Sequence, residues 1–533
     1  MLGLQRRISP FNMLLISING MVGSAWLFAP LYSARIAGSG AIIAWILGGL
    51  ATILVALTYV ELSSMLPVTG GSTRFSQLSH GLIAGYVISW LTWLSAVTMA
   101  PIEVQAVLQY AATYFPSLSH VVGNDIHVLT GIGLCWAVVI MFFMCVINVV
   151  SFKGLVGFNQ ILFSFKILVM MFTIFWLIHT HFFTQNFAVS YSGNGDSWLN
   201  WHHILAAIAG GGIAFAFTGF KHGVEMAGET THSRVAVPVA IVGSVVICLL
   251  LYLGLQVAFI GALDPAWLAK GWAYLTFAHD SGPFVGIAGI LGLVWLVKFL
   301  YIDAAVSPLG AGFVFMTSTA RVVYAMSQNG YLPKILTRTN KQALPIGALS
   351  LNFIVGIFLF LPFPGWQNMV NFLVSAMVIA YAIGPIALLS LREAIPDLKR
   401  PFRLPFAKPI ALIAFYFCNL IIYWTGWDTM WKLAIALVIG VVIFLIAYFR
   451  GKLNDKIISP RSLIWIAPYL IGLIIISYLG NFGGKGYLTF GWDFLVMFIF
   501  SCVILLLAVK THLPNVDAQL AIYQAESKEP ELI

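Results

Sequence analysis

An all-α polytopic membrane protein, with a five-plus-five inverted-repeat core and discontinuous helices 1 and 6, is the fold class the sequence predicts. Three observations predict it. Of 533 residues, 60% are hydrophobic and 8% charged, whereas charged residues make up about a quarter of an ordinary soluble protein. The apolar residues gather into about fourteen stretches of the length that crosses a bilayer as a helix. The first and sixth stretches are interrupted by small residues, at Asn19-Gly20-Met21-Val22-Gly23-Ser24-Ala25 and at Phe217-Thr218-Gly219-Phe220. A helix broken at membrane depth leaves N–H and C=O groups that need a ligand, water or packed protein. Two such breaks, five helices apart, point to a small-molecule cavity at the bilayer centre and so to transport.

In chain order the helices read as 11–36, 40–66, 84–114, 128–150, 154–179, 203–231, 236–262, 284–326, 345–361, 367–391, 409–426, 431–449, 462–480 and 492–509. An odd number of helices per half inverts one half against the other. Residues 11–179 then form the first repeat, 203–391 the second and 409–509 four accessory helices, with a polar tail over 510–533. The stretch 284–326 exceeds one crossing and is expected to run on as a cytoplasmic helical extension. The loop 180–202, with its Ser-Gly-Asn-Gly-Asp run and several aromatics, is long enough for a small lid, which its sequence does not decide.

The net charge of +9 is that of a topology signal rather than of a nucleic-acid binder. Twenty-one of the 27 basic residues fall in loops that are internal if the N-terminus is inside. Four (Arg35, Lys270, Lys432 and Lys485) fall outside, and Lys166 and Lys298 fall within the membrane. This bias puts both termini in the cytoplasm of a multi-pass cell (inner) membrane protein. No cleavable leader is expected, because the first apolar stretch continues through its glycine break without an A-x-A site. The five cysteines, Cys135, Cys145, Cys248, Cys418 and Cys502, lie in apolar segments and read as small core residues. His202-His203 reads as an interfacial helix start. No metal or nucleophile motif is found, so neither a cofactor nor an enzyme is expected. The abundant tryptophans read mostly as interfacial or lipid-facing.

The N-terminal end of a half-helix attracts a carboxylate, and its C-terminal end attracts an ammonium group. Two antiparallel broken helices therefore suit an α-amino acid, with Gly20, Gly23 and Gly219 allowing close approach of the main chain. The competing reading is small-xxx-small helix packing, as for Gly20 and Ser24.

At these residues the chain resembles the amino acid–polyamine–organocation (APC) permease family. The first break, Gly23-Ser24-Ala25, is similar to that family's Gly-Ser-Gly motif with Ala25 in the last place. The run Glu61–Gly71, the sixth-helix run Phe215–Phe220 with Glu229, Arg234 and Pro238 after it, and Arg321–Pro333 at the end of the eighth helix resemble further family motifs. The resemblance spans helices one to ten and implies alternating access with an amino-acid-like substrate. It implies that the main chain at Met21, Ser24 and Ala25 takes the carboxylate, that Phe217 and Thr218 take the amine, and that Phe215 lids the site. Lys166 matches a fifth-helix lysine that stands in for a sodium ion in proton-coupled relatives. Lys221 departs from the pattern, since many relatives carry Glu there.

Ionisable residues in the hydrocarbon region are costly and usually line a pathway. Burial disfavours the charged form of an amine, so Lys166 can pass a proton during a cycle. The alternative is a structural lysine held by free carbonyls of the first helix. Glu103, after Pro101, is an alternative proton carrier or a partner for a lysine, unless it is simply a paired structural acid. Lys298 and Asp303, five apart, are pathway candidates on partly different faces; Lys298 either contacts an acidic substrate side chain or is structural. Lys221, Glu225 and Glu229 fall on one helix face and line the cytoplasmic exit, unless that face is simply solvated. Glu61 is expected to pair with a basic loop residue. The reading that results is a proton-coupled amino acid transporter, with aspartate or glutamate favoured by Lys221 and the extra intramembrane lysine. An amino acid/amine exchanger and a nutrient sensor of the same fold are the alternatives.

Overall fold

The computed structural model describes residues 9–67, 71–122, 126–150, 155–189, 191, 197, 199–227, 230, 233–276, 282–340, 344–451, 453, 459–514 and 516, with backbone only at 150, 155–162, 233 and 234. Helices dominate. Helix α1 (Pro10–Met21) starts on a proline, with Ser9 Oγ accepting from Asn12 N at 3.2 Å, a start suited to both residues. It stops at Val22, whose φ of −88° and ψ of 80° leave the helical region, and α2 (Ala25–Ala37) resumes after Ser24. Helix α3 (Ala41–Met65) comes next through a 3₁₀ turn, and then α4 (Gly71–His80), α5 (Leu82–Ala111), α6 (Gly131–Val150) and α7 (Leu155–Thr180). A short antiparallel hairpin, β1 (Ser119–Val122) and β2 (Ile126–Leu129), with Ser119 opposite Leu129, lies between α5 and α6.

The sixth stretch is interrupted twice, not once. Helix α8 (Trp201–Gly210) is bent by 44° against the helical run Ile213–Glu225, at Gly211 and Gly212, the latter left-handed at φ 82°. Helix α9 (Ile213–Ala216) then ends at Phe217, a 3₁₀ turn covers Thr218–Phe220, and α10 (Lys221–Glu225) closes the stretch. The predicted interruption at Phe217–Phe220 exists, but the sharp bend belongs to the glycine run before it. Helix α11 (Ser233–Pro238) passes into α12 (Ser244–Ala262) through a π-helical segment, Val239–Gly243. Pro238 lacks the N–H that would continue an α ladder there.

The expected single helix over 284–326 is divided in two. Helix α13 (Pro283–Ile290) stops before Gly292, left-handed at φ 71°, and α14 (Val294–Gln328) begins after it. At about 1.5 Å per residue, the 35 residues of α14 outrun the hydrocarbon core of about 30 Å, as the predicted extension requires. Helices α15 (Ile346–Leu359), α16 (Trp366–Tyr381), α17 (Ile383–Ala394), α18 (Ala407–Trp424), α19 (Trp427–Phe449), α20 (Leu463–Leu479) and α21 (Trp492–Lys510) complete the chain.

Among the described residues, eleven helical runs are long and apolar enough to cross a membrane, or twelve if the bent pair α8–α10 is one span. This is fewer than the expected fourteen for two local reasons. The run Ala25–Met65 counts once although it holds α2 and α3, and α15 has only 14 residues. The protein is an integral membrane protein built as a helical bundle. Helix α5 is buried almost throughout, as is the α16–α17 pair, whereas α19 lies largely at the periphery. Helix α5 packs most extensively on α14 and α16. Cys248 and Cys418 are buried as expected of core residues, but Cys135 faces outward.

Candidate substrate site

The two predicted breaks meet. The end of α1 packs on the 3₁₀ turn Thr218–Phe220 and on α10. A Cβ on Gly219 would collide with Gly20 C and Met21 N, so the main chains touch with no side chain between them. A Cβ on Gly20 would meet the His222 ring, and one on Gly23 the Glu103 carboxylate. Only glycine fits at these three positions without displacing its neighbours. Met21, Ser24, Ala25, Phe215, Phe217 and Thr218 are all buried around this contact.

Four main-chain groups at the first break are taken by side chains. Ser24 N–H, at the start of α2, donates to Glu103 Oε2 at 2.9 Å. Val22 O and Asn19 O, at the end of α1, accept from Lys166 Nζ at 2.6 and 3.2 Å. Met21 O accepts from Tyr252 Oη at 2.9 Å, and Tyr252 Oη lies 3.4 Å from Ala216 O of the other break. Thr218 O accepts from Tyr381 Oη at 2.9 Å. Trp366 Nε1 donates to Ser24 Oγ at 2.9 Å. Both ends of the broken first helix thus hold the charge that suits them, a carboxylate on the N–H and an ammonium on the carbonyls. Of the alternatives for Lys166, its geometry is that of a lysine on first-helix carbonyls.

Asp303 completes a buried triad with Lys166 and Glu103. Its two oxygens each lie 2.9 Å from Ser307 Oγ, which donates to the carboxyl group, and Asp303 and Glu103 are both near enough to Lys166 to interact with it electrostatically. All three side chains are at most 2% exposed. Lys298 is not part of this group. It is exposed near the start of α14 on the outside of the bundle, five residues from a fully buried Asp303. Five residues turn a helix by about 140° beyond one full turn, so the two cannot share a face, and Lys298 is removed from the pathway residues.

Aromatic rings close the site on either side. Phe215 packs edge-on against Trp366 with centroids 5.7 Å apart, and Trp366 also meets Phe28 at 5.3 Å and stacks on Tyr32 at 5.5 Å. Beyond the second break, Phe220 meets Tyr381 at 4.9 Å and Tyr59 at 6.3 Å. Phe217 packs edge-on against Trp45 and Tyr252, each at 5.8 Å. On α10, Glu225 lies 3.7 Å from both Lys221 Nζ and His222 Nδ1, and Lys221 Nζ sits 5.8 Å from the Phe315 ring centroid. The predicted face at Lys221 and Glu225 is therefore a paired and largely buried cluster, not a solvated one. Glu229 lies outside the described residues. Glu61 is fully buried and pairs with Arg392 through Nε at 2.8 Å and Nη2 at 2.5 Å, and with Arg400 Nε at 3.3 Å. Leu404 N donates to it at 2.7 Å.

Sequence reasoning missed Tyr252, Tyr381, Trp366 and His222. In a chain with 19 tyrosines and 17 tryptophans, an aromatic that carries a polar hydrogen to a break looks like any other. His202 and His203 stand in the first turn of α8, His202 stacking on Phe482 at 4.3 Å and His203 meeting Tyr191 at 4.1 Å. The loop after α7 is tied down by Asn186, whose Nδ2 donates to Ile260 O and Leu263 O at 2.8 and 2.7 Å. The whole of its Ser-Gly-Asn-Gly-Asp run lies outside the described residues.

The family model described as amino acid permease matches residues 8–444. The chain is 35% identical over 518 residues to the glutamate/serine transporter AimA of Bacillus subtilis, covering 95% of this chain and 94% of that one. It is 37% identical over 515 residues to the aspartate-proton symporter of the same species, covering 96% and 97%. The branched-chain amino acid permease BcaP, again from Bacillus subtilis, is 25% identical over 472 residues, covering 85% and 95%. Two interrupted helices in main-chain contact, with opposite charges seated on the loose ends of the first, therefore occur in a chain that belongs to the amino acid permease family.

Proposed function

We propose that this protein is a secondary active transporter that carries an acidic amino acid, aspartate or glutamate, across the cell membrane together with a proton. One observation carries the reading: the donor at Ser24 that would receive a substrate carboxylate already holds the carboxylate of Glu103. A substrate must displace Glu103, and it does so at least cost when Glu103 is protonated, because a neutral carboxyl is the weaker acceptor. Proton uptake and substrate binding are then linked at one N–H group. Lys166 works on the other side of the break. Charged, it holds Val22 O and Asn19 O; once it gives up its proton, that hold weakens and the two halves of the first span are free to move against each other.

The substrate amine is assigned to the main chain at Phe217 and Thr218, and Phe215 with Trp366 forms the lid. Lys221 and Glu225 serve as an inner gate, and Asp303 keeps the buried charge near Lys166 balanced. The names of the two relatives that share over a third of the residues support both the acidic cargo and the proton. We assign an inverted-repeat core to residues 11–179 and 203–391, accessory helices to 409–509, about fourteen spans of the usual length in all, and cytoplasmic termini from the excess of internal Lys and Arg.

The test is uptake of labelled aspartate and glutamate into proteoliposomes with an imposed pH gradient. Lys166→Met is expected to lower gradient-driven accumulation about tenfold or more, the equivalent of ~1.4 kcal/mol, while counterflow of unlabelled for labelled substrate persists. Undiminished accumulation by Lys166→Met discards it as the proton carrier, and absence of any amino-acid-dependent proton movement in the wild type discards coupling.

A further inference from the structure

A cavity of about 1000 Å³ opens on the outer surface of the bundle, away from the helix breaks. Its floor is Trp90 and Trp93 of α5, each 5% exposed. One wall includes Val355 and Phe358 of α15; the other includes Ile439 and Ile446 of α19. The indole N–H groups of the floor are satisfied inside the protein, Trp90 Nε1 by Ala436 O at 3.0 Å and Trp93 Nε1 by Asn352 Oδ1 at 2.9 Å. The lining is therefore apolar along its length, and among the described residues its charged side chains are Lys432 and Arg450, toward the two ends of α19.

The two ends differ. Lys432 is neutralised by Asp428 at 2.8 Å. Arg450 makes no ion pair among the described residues, and it is exposed. From Trp431 to Arg450, α19 rises about 28 Å at ~1.5 Å per residue, close to the hydrocarbon thickness of about 30 Å. A slot of bilayer length, apolar along its lining and with an exposed guanidinium at one rim that has no ion pair among the described residues, is complementary to an amphiphile with a long chain and an anionic head. It is not complementary to a flat helical face, which could not reach indoles recessed behind α15 and α19.

We propose that this groove is a phospholipid site, holding an anionic phospholipid with its phosphate on Arg450 and its acyl chain between α15 and α19. Guanidinium is the side chain best suited to phosphate, and basic positions at the membrane surface select anionic headgroups. The lipid would complete the packing of α5 and α15 from outside, on the helix that carries Glu103.

The experiment uses full-length protein purified in detergent, stripped of lipid, and returned to either phosphatidylglycerol or phosphatidylcholine. Native mass spectrometry reads the lipid retained, and thermal unfolding reads the stabilisation that binding confers. Phosphatidylglycerol is expected to be retained several-fold more and to raise the unfolding temperature further. Arg450→Gln should abolish that headgroup preference, and Ile439→Trp, which fills the slot and leaves Arg450 in place, should reduce retention of both lipids. Equal retention of the two lipids by the wild type, a preference that survives Arg450→Gln, or retention unchanged in a folded Ile439→Trp protein overturns the proposal. A two-copy species that Ile439→Trp disperses also overturns it and gives the groove to a second copy of the chain. Should Ile439→Trp fail to fold, the exposed Arg450→Gln variant decides alone.

Discussion

At the residue scale, the proposed proton coupling is placed on Glu103 and Lys166, which hold main-chain groups at the first break, with Asp303 buried nearby. Lys166 is legible in the sequence because a single lysine in Phe163-Ser164-Phe165-Lys166-Ile167-Leu168 has no place in a lipid-facing helix. Glu103 is legible for the same reason, but not its partner. A carboxylate can reach any of several donors, and only the fold shows that it takes Ser24 N–H at 2.9 Å. Tyr252 and Tyr381 are not legible at all, since their targets are carbonyls at sequence separations of 231 and 163 residues. Lys298 marks the converse error: its placement near the outer end of a helix depends on the break at Gly292, which 284–326 read as one helix conceals. The prediction at this scale concerns Glu103→Gln. The amide oxygen still accepts from Ser24 N–H but carries no exchangeable carboxyl proton. Counterflow should persist, while the dependence of uptake on external pH flattens. A wild-type pH profile in the variant would show that Glu103 does not link proton to substrate.

At the element scale, small residues and prolines account for most of the departures from regular helix. Gly23 and Ser24 signal the first break openly. The Gly210-Gly211-Gly212 run is as plain a signal as any, yet the 44° bend there is hard to foresee, because Phe217–Phe220 offers a second break in the same stretch and either alone would interrupt one crossing. The π segment after Pro238 has the usual proline cause. Elements are also locked to one another across the bundle. Glu61 of α3 is bound by Arg392 of α17, by Arg400 and by Leu404 N, which joins the second and tenth predicted spans to the segment before α18. Breaking a buried pair by removing one charge costs about 3 kcal/mol or more. Glu61→Gln should therefore lower the unfolding free energy by ~3 kcal/mol in a denaturant titration. Arg392→Lys should recover little, because an ammonium cannot make the two parallel bonds at 2.8 and 2.5 Å. A Glu61→Gln protein as stable as the wild type would show that this junction is loosely held.

At the scale of the whole molecule, composition alone settles the class, since a chain with 8% charged residues can bury its backbone only as a bundle in lipid. Helix number is less legible, because α2 and α3 adjoin almost without interruption and α15 is short. The proposed orientation rests on the distribution of basic residues and can be tested directly. Phe406, 82% exposed between α17 and α18, should lie inside; Tyr487, 75% exposed between α20 and α21, should lie outside. In intact cells a membrane-impermeant maleimide should label Tyr487→Cys at once and Phe406→Cys only after permeabilisation. The reverse pattern would invert the topology.

The contact between Gly20 and Gly219 carries a consequence for how such a protein changes its cargo. In the proposed site, peptide groups receive the part that all α-amino acids share, and most substitutions change the side chains around them. The grip on that common part then turns on the few glycines that let the main chains meet, while surrounding positions such as Ala25 and Phe215 stay open to substitution. Novel nutrients become reachable by altering the walls alone, one residue at a time, without dismantling the handle.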